Sequence, residues 1–483
     1  MSLSTALNIA QNSLLNTQRQ TSVVSRNIAD AYNPDYSRRT AILSSLAPGA
    51  QVATIRRATD AALFRQNLSA LSGWKAQATI VTGLDQLNVS VNAIDNATSP
   101  AVMVGKLQEA LQLYSATPSN RTLAENAVEA ARQVVNTLNQ GTNAIQAFRI
   151  DMDRQIATAV GELNQLLADF KSVNNEVVSG EISGREALDA LDRRDAILKK
   201  ISEYVPISTI TRANNDLMIV TADGTTLFET IPRHVGFEAT GGYGPATVGN
   251  RIFVDGVPLL PGNGANTSAS GTLAAMVQLR DSFATDMQAQ LDEVARGLIE
   301  AFSEANPLDG TDVRPGLFTW PGAPAMPAAA TVETGLAALI KLNDLIDPTQ
   351  PGGDPELLRD GVNFDFNPDD NASYNERLID YANRLDSPIS FVTAAGAVAT
   401  LSLMDYSAAV VSWLEDARKT AAGGVETKSA LMVRSAEALS NITSVNVEEE
   451  MALMLELEHS YGASAKMLQV IDEMLTTLLN AVR

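Results

Sequence analysis

Apolar and small residues recur at alternating steps of four and three through the first thirty positions, at Leu3, Leu7, Ala10, Leu14, Thr17, Thr21, Val24 and Ile28. That spacing predicts a helix with one narrow seam. Because Thr17 and Thr21 occupy seam positions, the stripe would make a weak core on its own. A second series closes the chain, through Met454, Leu457, Tyr461, Ser464, Leu468, Ile471, Leu475, Leu478 and Val482, one residue short of Arg483. Nearly four heptads in unbroken register predict helix-on-helix packing. Asn446 followed by Glu449 has capping-box spacing, and the run Glu448, Glu449, Glu450 suits the positive end of a helix dipole.

Between these ends the period changes several times. Pro34 in "AYNPDYSRR" ends the first helix by restricting Asn33 and removing a backbone donor. Residues 55–205 read as long helices separated by "NATSP" and "ATPSN", with Ser99 and Ser119 as starts. Alternation takes over at 206–262, where Asp223-Gly224 and Asp255-Gly256 between apolar runs predict type I′ hairpin turns. Leu279, Phe283, Met287, Leu291, Val294, Leu298 and Phe302 then mark a long amphipathic helix. Residues 307–390 are rich in Pro, Gly, Asn and Asp and read as irregular loops with short helical pieces, after which 397–440 is again helical.

The expected division is an N-terminal assembly helix and turn (1–54), the first part of a helical rod domain (55–205), a small β domain (206–270), a long helix (271–306), a loop-rich insertion (307–390), the second part of the rod domain (391–445) and a C-terminal assembly helix (446–483). The fold class is mainly α with a small antiparallel β domain inserted, the long terminal helices pairing in a coiled coil or bundle.

Charge changes this picture in two ways. The balance of 35 basic against 56 acidic residues gives −21, which repels phosphate backbones and anionic lipid, so neither nucleic acid nor membrane is an expected partner. Locally, residues 1–29 carry Arg19 and Arg26 and no acid, whereas 446–483 carry seven acids against Lys466 and Arg483. Opposite signs on two amphipathic ends favour their lying side by side. Both stripes run close to the chain ends without a polar terminal turn. The terminal helices are therefore read as an assembly surface, through Leu3, Leu7, Leu14, Val24, Ile28, Met454, Leu457, Tyr461, Leu468, Ile471, Leu475, Leu478 and Val482, buried against further copies of the chain. A hairpin folded within one copy is the competing reading.

Candidate chemistry is sparse. The chain has no cysteine, which excludes disulfides and thiolate sites, and only two histidines, His234 and His459, neither at a recognisable catalytic spacing. "GGYGPATVG" lacks the Gly-Lys-Ser or Gly-Lys-Thr of a phosphate loop, and Asp365, Asn367, Asp369 and Asn371 lack the glycine and distal glutamate of an EF-hand. Asp192 and Asp195 read as structural ion pairs or a solvated face. No catalytic, cofactor or metal residue is assigned. The first residues lack the basic and apolar regions of a secretory signal. A secreted acidic hydrolase or binding module is a remote alternative, for which no convergent titratable cleft can be named.

"NIADAYNPDYSRR" resembles the helix-ending signature of the bacterial flagellar axial proteins, with Asn27, Ile28, Ala29, Pro34 and Tyr36 in matching positions and Asp30, Asn33 and Asp35 departing from the usual Asn, Thr and Gly. The C-terminal segment is similar to that family's second signature through Val445, Asn446, Glu449, Tyr461, Ala463, Ser464, Ala465, Asp472, Glu473, Met474 and Leu478. Tyr36, Ser37, Arg38 and Arg39, together with "DRRDAILKKIS" and "GTLAAMVQLRD", resemble the hook-filament junction members rather than hook or rod proteins. The signature turn is thus assigned to Asn27, Pro34, Tyr36, Ser37 and Arg38. The resemblance implies a non-catalytic structural protein without cofactors, located extracellularly at the distal end of the hook. It implies a ring of self-copies contacting hook protein and a second junction protein. It further implies a cytoplasmic stage, a cytoplasmic export chaperone on the C-terminal helix, and secretion through the flagellar type III channel.

Overall fold

A computed structural model describes residues 3–46, 49–184, 187–259, 270–393 and 396–481. The chain opens with helix α1 (Leu3–Ala29), which stops before Pro34, and then forms a hairpin of β1 (Arg39–Leu46) and β2 (Gly49–Arg57). This hairpin lies where the N-terminal turn and the start of the rod helices were expected. Its signal was Pro48-Gly49 between runs holding Ile42 and Leu43 on one side and Val52, Thr54 and Ile55 on the other. Helices α2 (Ala61–Asn92), α3 (Pro100–Ala116), α4 (Arg121–Ser183) and α5 (Leu188–Tyr204) follow. Ser99 caps α3, its Oγ accepting the Val102 N–H at 3.5 Å. At α4 the cap is Asn120 rather than Ser119, its Oδ1 accepting the Thr122 N–H at 3.0 Å.

Strands β3 (Ile207–Thr211), β4 (Leu217–Thr221) and β5 (Thr226–Phe228) make one antiparallel sheet, and β6 (Val235–Gly236), β7 (Phe253–Val254) and β8 (Val257–Pro258) another. The two Asp-Gly turns differ. Asp255 and Gly256 both have positive φ, 47° and 82°, as a type I′ turn requires, whereas at 223–224 only Gly224 does, at 89°. Helix α6 (Thr272–Gln278) continues through a π turn at Leu279–Phe283 into α7 (Ala284–Ala301), so the expected single helix contains a wider turn. Residues after it form short pieces: β9 (Ser303–Ala305), β10 (Val313–Pro315), β11 (Phe318–Thr319), α8 (Leu336–Leu339), β12 (Lys341–Leu342), α9 (Leu357–Asp360) and α10 (Glu376–Leu385). A hairpin of β13 (Ile389–Val392) and β14 (Val398–Leu401) occupies the start of what was read as helix. Helices α11 (Leu403–Thr443) and α12 (Val447–Ala481) close the chain.

Two compact units share this chain. The second comprises residues 75–161 and 236–426 and holds one large core. Ile80, Leu84, Leu87, Leu107, Leu111, Val128, Leu138, Leu291, Leu298 and Phe302 are fully buried in it. The segment read as a loop-rich insertion contributes Leu317, Phe318, Ile340, Leu378, Tyr381 and Leu385 to that same core. It is packed structure held by scattered apolar anchors, which is why no period announced it. Helix α7 is buried almost all round, so Gly297 has to be bare: a Cβ there would stand 2.7 Å from the Phe391 ring.

Burial also leaves Asp286 on α7 without charge compensation, and its carboxyl is pushed up from the usual 3.8 to about 6. A folded-state value above the unfolded one stabilises the protein fully at low pH, and the benefit disappears as pH rises through about 6. Asp286→Asn is therefore expected to raise the melting temperature near neutral pH, by about 1–2 kcal/mol of stability, and to change it little near pH 4. Thermal melts of both proteins at the two pH values check this.

The first unit comprises residues 1–74, 162–235 and 427–483 and buries Leu163, Leu167, Phe170, Ile201, Ile219, Leu227 and Phe228, with Val173, Val177 and Ala190 clustered between α4 and α5. The sheet β3-β4-β5 belongs to this unit, while β7 and β8 belong to the second. The region read as one β domain is thus two sheets assigned to different units.

Candidate assembly interface

Helices α1 and α12 pack along each other within the first unit. On α1 the seam runs through partly buried Leu3, Leu7 and Leu14, buried Ala10, Thr17 and Val24, and partly buried Thr21 and Ile28. On α12 it runs through Glu450, Met454, Leu457, Ser464, Leu468, Ile471 and Leu475. Small polar residues meet halfway, where the hydroxyls of Ser13 and Ser464 lie 2.8 Å apart. Most of the residues expected to face further copies face the chain's own other terminus, so the stripe read from the sequence is largely occupied within one copy. Two residues leave it: Tyr461 and Leu478 are 52% and 58% exposed. Tyr461 borders a groove with Gln18, Thr21, Ser22, Ser25, Met454 and Leu457. Val482 lies outside the described residues.

A second apolar line on α12 has no counterpart in the sequence reading. Leu453, Met467 and Met474, separated by multiples of seven, are exposed, and the small residues Ser460 and Ala463 interrupt them. Val470 is exposed beside this line, while Leu455 and Leu479 are exposed on other faces of the helix. Near the chain ends Leu3, Val470, Glu473, Met474, Thr477 and Leu478 border one open cleft. Exposed apolar residues lined up on a water-facing helix make this face a candidate association surface.

The signature turn locks the two termini together at the opposite end of the pair. Asn27 is fully buried and uses its whole hydrogen-bonding capacity. Its Nδ2 donates to the Arg39 carbonyl at 2.8 Å and to Glu450 at 3.0 Å, and its Oδ1 accepts from the Tyr36 hydroxyl at 2.8 Å and the Arg39 N–H at 3.0 Å. Glu450, only 1% exposed, also accepts from Arg38 Nε at 2.7 Å, while the Arg38 N–H donates to the Thr443 carbonyl at 2.7 Å. Burial drives the Tyr36 phenol up to about 12, so it remains a proton donor. Asp35, where the family signature has Gly, does not take a positive φ, so the departure brings no strain. Its N–H closes a turn on Asn33 Oδ1 at 3.1 Å. Pro34 is exposed and Ser37 partly buried.

Arginines then tie the turn and hairpin to α5. Arg39 reaches Asp189 and Asp192, Arg57 reaches Asp192 at 2.9 Å and Asp195 at 2.6 Å, and Arg26 reaches Asp189 at 2.6 Å. Burial alone would raise Asp189, but hydrogen bonds from Arg39 and Arg26 hold its carboxyl below the usual range. Asp192 and Asp195 are thus ion-pair partners of the hairpin. Arg57 and Asp189 escaped the sequence reading, which placed Glu450 only at the helix dipole and Arg39 only in the resemblance. The signal for Glu450 was its place on the seam, seven residues before Leu457, where a charge must have a partner. The start of α12 is capped by Asn446, whose Oδ1 accepts from the Glu448 N–H at 3.0 Å, while Glu449 turns toward Arg38 at 3.7 Å instead of closing the box.

Other candidates resolve locally. In the glycine-rich loop the Gly244 and Thr247 carbonyls accept from Arg149, at 3.3 and 2.6 Å, so the loop presents oxygens to a cation. Asp365 closes an Asx turn, its Oδ1 accepting the Asn367 N–H at 2.9 Å, and Asn367 Oδ1 accepts the Asn371 N–H at 2.9 Å. Among the described residues no group of acids and histidines has metal-site geometry, and no helix is long and apolar enough to cross a membrane.

Residues 84–315 match the family model described as the flagellar hook-associated protein FlgK helical domain, and residues 440–481 match that of the flagellar basal body rod FlgEFG protein C-terminal region. Flagellar hook-associated protein 1 of Bacillus subtilis (strain 168) is 22% identical over 533 residues, covering 99% of this chain and 98% of that protein. The solved flagellar hook junction protein FlgK from Burkholderia pseudomallei superposes with a TM-score of 0.58 at 12% identity, over 79% of this chain and all of that one, which shows a common fold. With a junction-type helical domain in its middle, an axial-type C-terminal helix and full-length similarity to a hook-associated protein, the chain belongs to the flagellar axial proteins, in the FlgK group of hook-associated proteins.

Proposed function

We propose that this chain forms the junction ring between hook and filament, as a structural subunit that assembles through its paired terminal helices. The observation that carries the reading is the second apolar line on α12, Leu453, Met467, Val470 and Met474, left facing water after α1 has taken the first. A neighbouring copy in a ring would cover it. The helical-domain match at 84–315 favours a junction protein over a hook or rod protein, which the C-terminal match alone would leave open. Hook protein on one side and a second junction protein on the other are the proposed neighbours. Export through the flagellar type III channel, with a cytoplasmic chaperone covering the acidic C-terminal helix beforehand, is the proposed route to an extracellular position at the hook tip.

Deleting the gene is expected to give hooks without filaments and flagellin in the medium, and antibody-gold is expected to mark a thin zone at the hook tip. Label along the whole hook would favour the hook or rod alternative. Removing residues 1–30 and 446–483 is expected to abolish attachment to hooks isolated from the deletion strain and leave the second unit folded, because its core draws on neither segment. Attachment by the trimmed protein would refute assembly through the termini.

A further inference from the structure

The chain has thirteen methionines and no cysteine. Four of the thirteen lie within α12, and among the described residues the three exposed ones, Met451, Met467 and Met474, are all there, at 49%, 52% and 49% exposure. Buried counterparts elsewhere, such as Met152 and Met287, are at 2% and 0%. The thioethers open to a solvent oxidant are therefore concentrated on the helix proposed to meet neighbouring subunits, with Met467 and Met474 one heptad apart on its uncovered line.

We infer that Met467 and Met474 are an oxidation-sensitive modification site that controls whether the free subunit can assemble, an inference resting on the assembly function proposed above. The oxidant is a peroxide. The thioether sulfur attacks one peroxide oxygen, an S–O bond forms as the O–O bond breaks, and hydrogen peroxide leaves as water. Sulfur is oxidised by two electrons and the peroxide is reduced. The product is a polar sulfoxide in a line that must lose water when a neighbour packs on it, and its oxygen has no donor waiting among Val470, Met474 and Leu478. No cysteine thiol competes for the oxidant. Once the ring has formed, the same sulfurs are covered.

The test treats purified full-length protein with hydrogen peroxide, maps sulfoxides by peptide mass spectrometry, and measures co-sedimentation with hooks from the deletion strain. Sulfoxide is expected first at Met451, Met467 and Met474, with attachment weakened about tenfold or more. The double variant Met467→Leu with Met474→Leu, close to volume-conserving, is expected to attach after peroxide treatment as well as the same variant does untreated. Hook-bound protein treated in place is expected to acquire little sulfoxide at 467 and 474. Equal loss of attachment in the leucine variant, normal attachment of oxidised protein, or oxidation mainly at buried methionines would overturn the inference. Failure of untreated protein to attach would instead overturn the assembly reading, and the inference with it.

Discussion

Met467→Glu combined with Met474→Glu is expected to abolish attachment of the chain to hooks while leaving the free protein's helix content and melting temperature unchanged. Both side chains are about half exposed, 52% and 49%, so in the free subunit the new carboxylates remain in water. In a ring they would be stripped of water on a helix that already carries Glu456, Glu458, Asp472 and Glu473. Burying an unpaired charge costs several kcal/mol, and each ~1.4 kcal/mol is a tenfold change in affinity, so two such charges exceed what a marginal helical contact can offset. Co-sedimentation reads attachment, and circular dichroism reads the fold. Normal attachment would show that this line on α12 is not where a neighbour packs. The oxidation inference shares this surface but not this test, since the glutamates need no oxidant.

Glu450→Ala is expected to loosen the union of the two termini by about 2–3 kcal/mol. Losing the carboxylate leaves Asn27 Nδ2, in a fully buried residue, without one of its acceptors, and leaves Arg38 without its 2.7 Å partner. Arg38 is itself 34% exposed and can recover some hydration, which keeps the figure below that for a fully buried pair. Hydrogen exchange should quicken at residues 27–39 and along the first turns of α12, with the second unit unchanged. Glu450→Gln, which still offers one oxygen of similar reach, should lose less. Unaltered exchange in the alanine variant would mean that the apolar seam alone holds the pair.

Periodicity carried the helical architecture because it reports which face of a helix must leave water, and that is a local property. The seams at Leu3 to Ile28 and Met454 to Leu475, the break at Pro34, and the caps at Ser99 and Asn446 were all legible in this way. The hairpin at 39–57 was less so. Its alternation is short and it lies against a helix, so much of its specification comes from Arg39 and Arg57 finding acids on α5 some 130 to 150 positions away. Residues 307–390 were illegible for a related reason, since Phe318, Ile340, Leu378 and Tyr381 reach the core singly from turns that share no period.

By itself, then, the sequence determined that two amphipathic helices stand at the chain's ends, that their charges are complementary, and that their signature residues are those of axial proteins. Tertiary structure decided which partner each stripe meets. A heptad pattern states only that a face must be covered, and either the other terminus or another copy can cover it. Docking of α1 used the first line on α12, and only after that docking does the remaining line of Leu453, Met467 and Met474 stand out as unfilled. Asn27, Tyr36, Arg38 and Glu450 likewise become one site only in three dimensions, because a buried amide needs four partners and the chain supplies them from positions up to 423 residues apart.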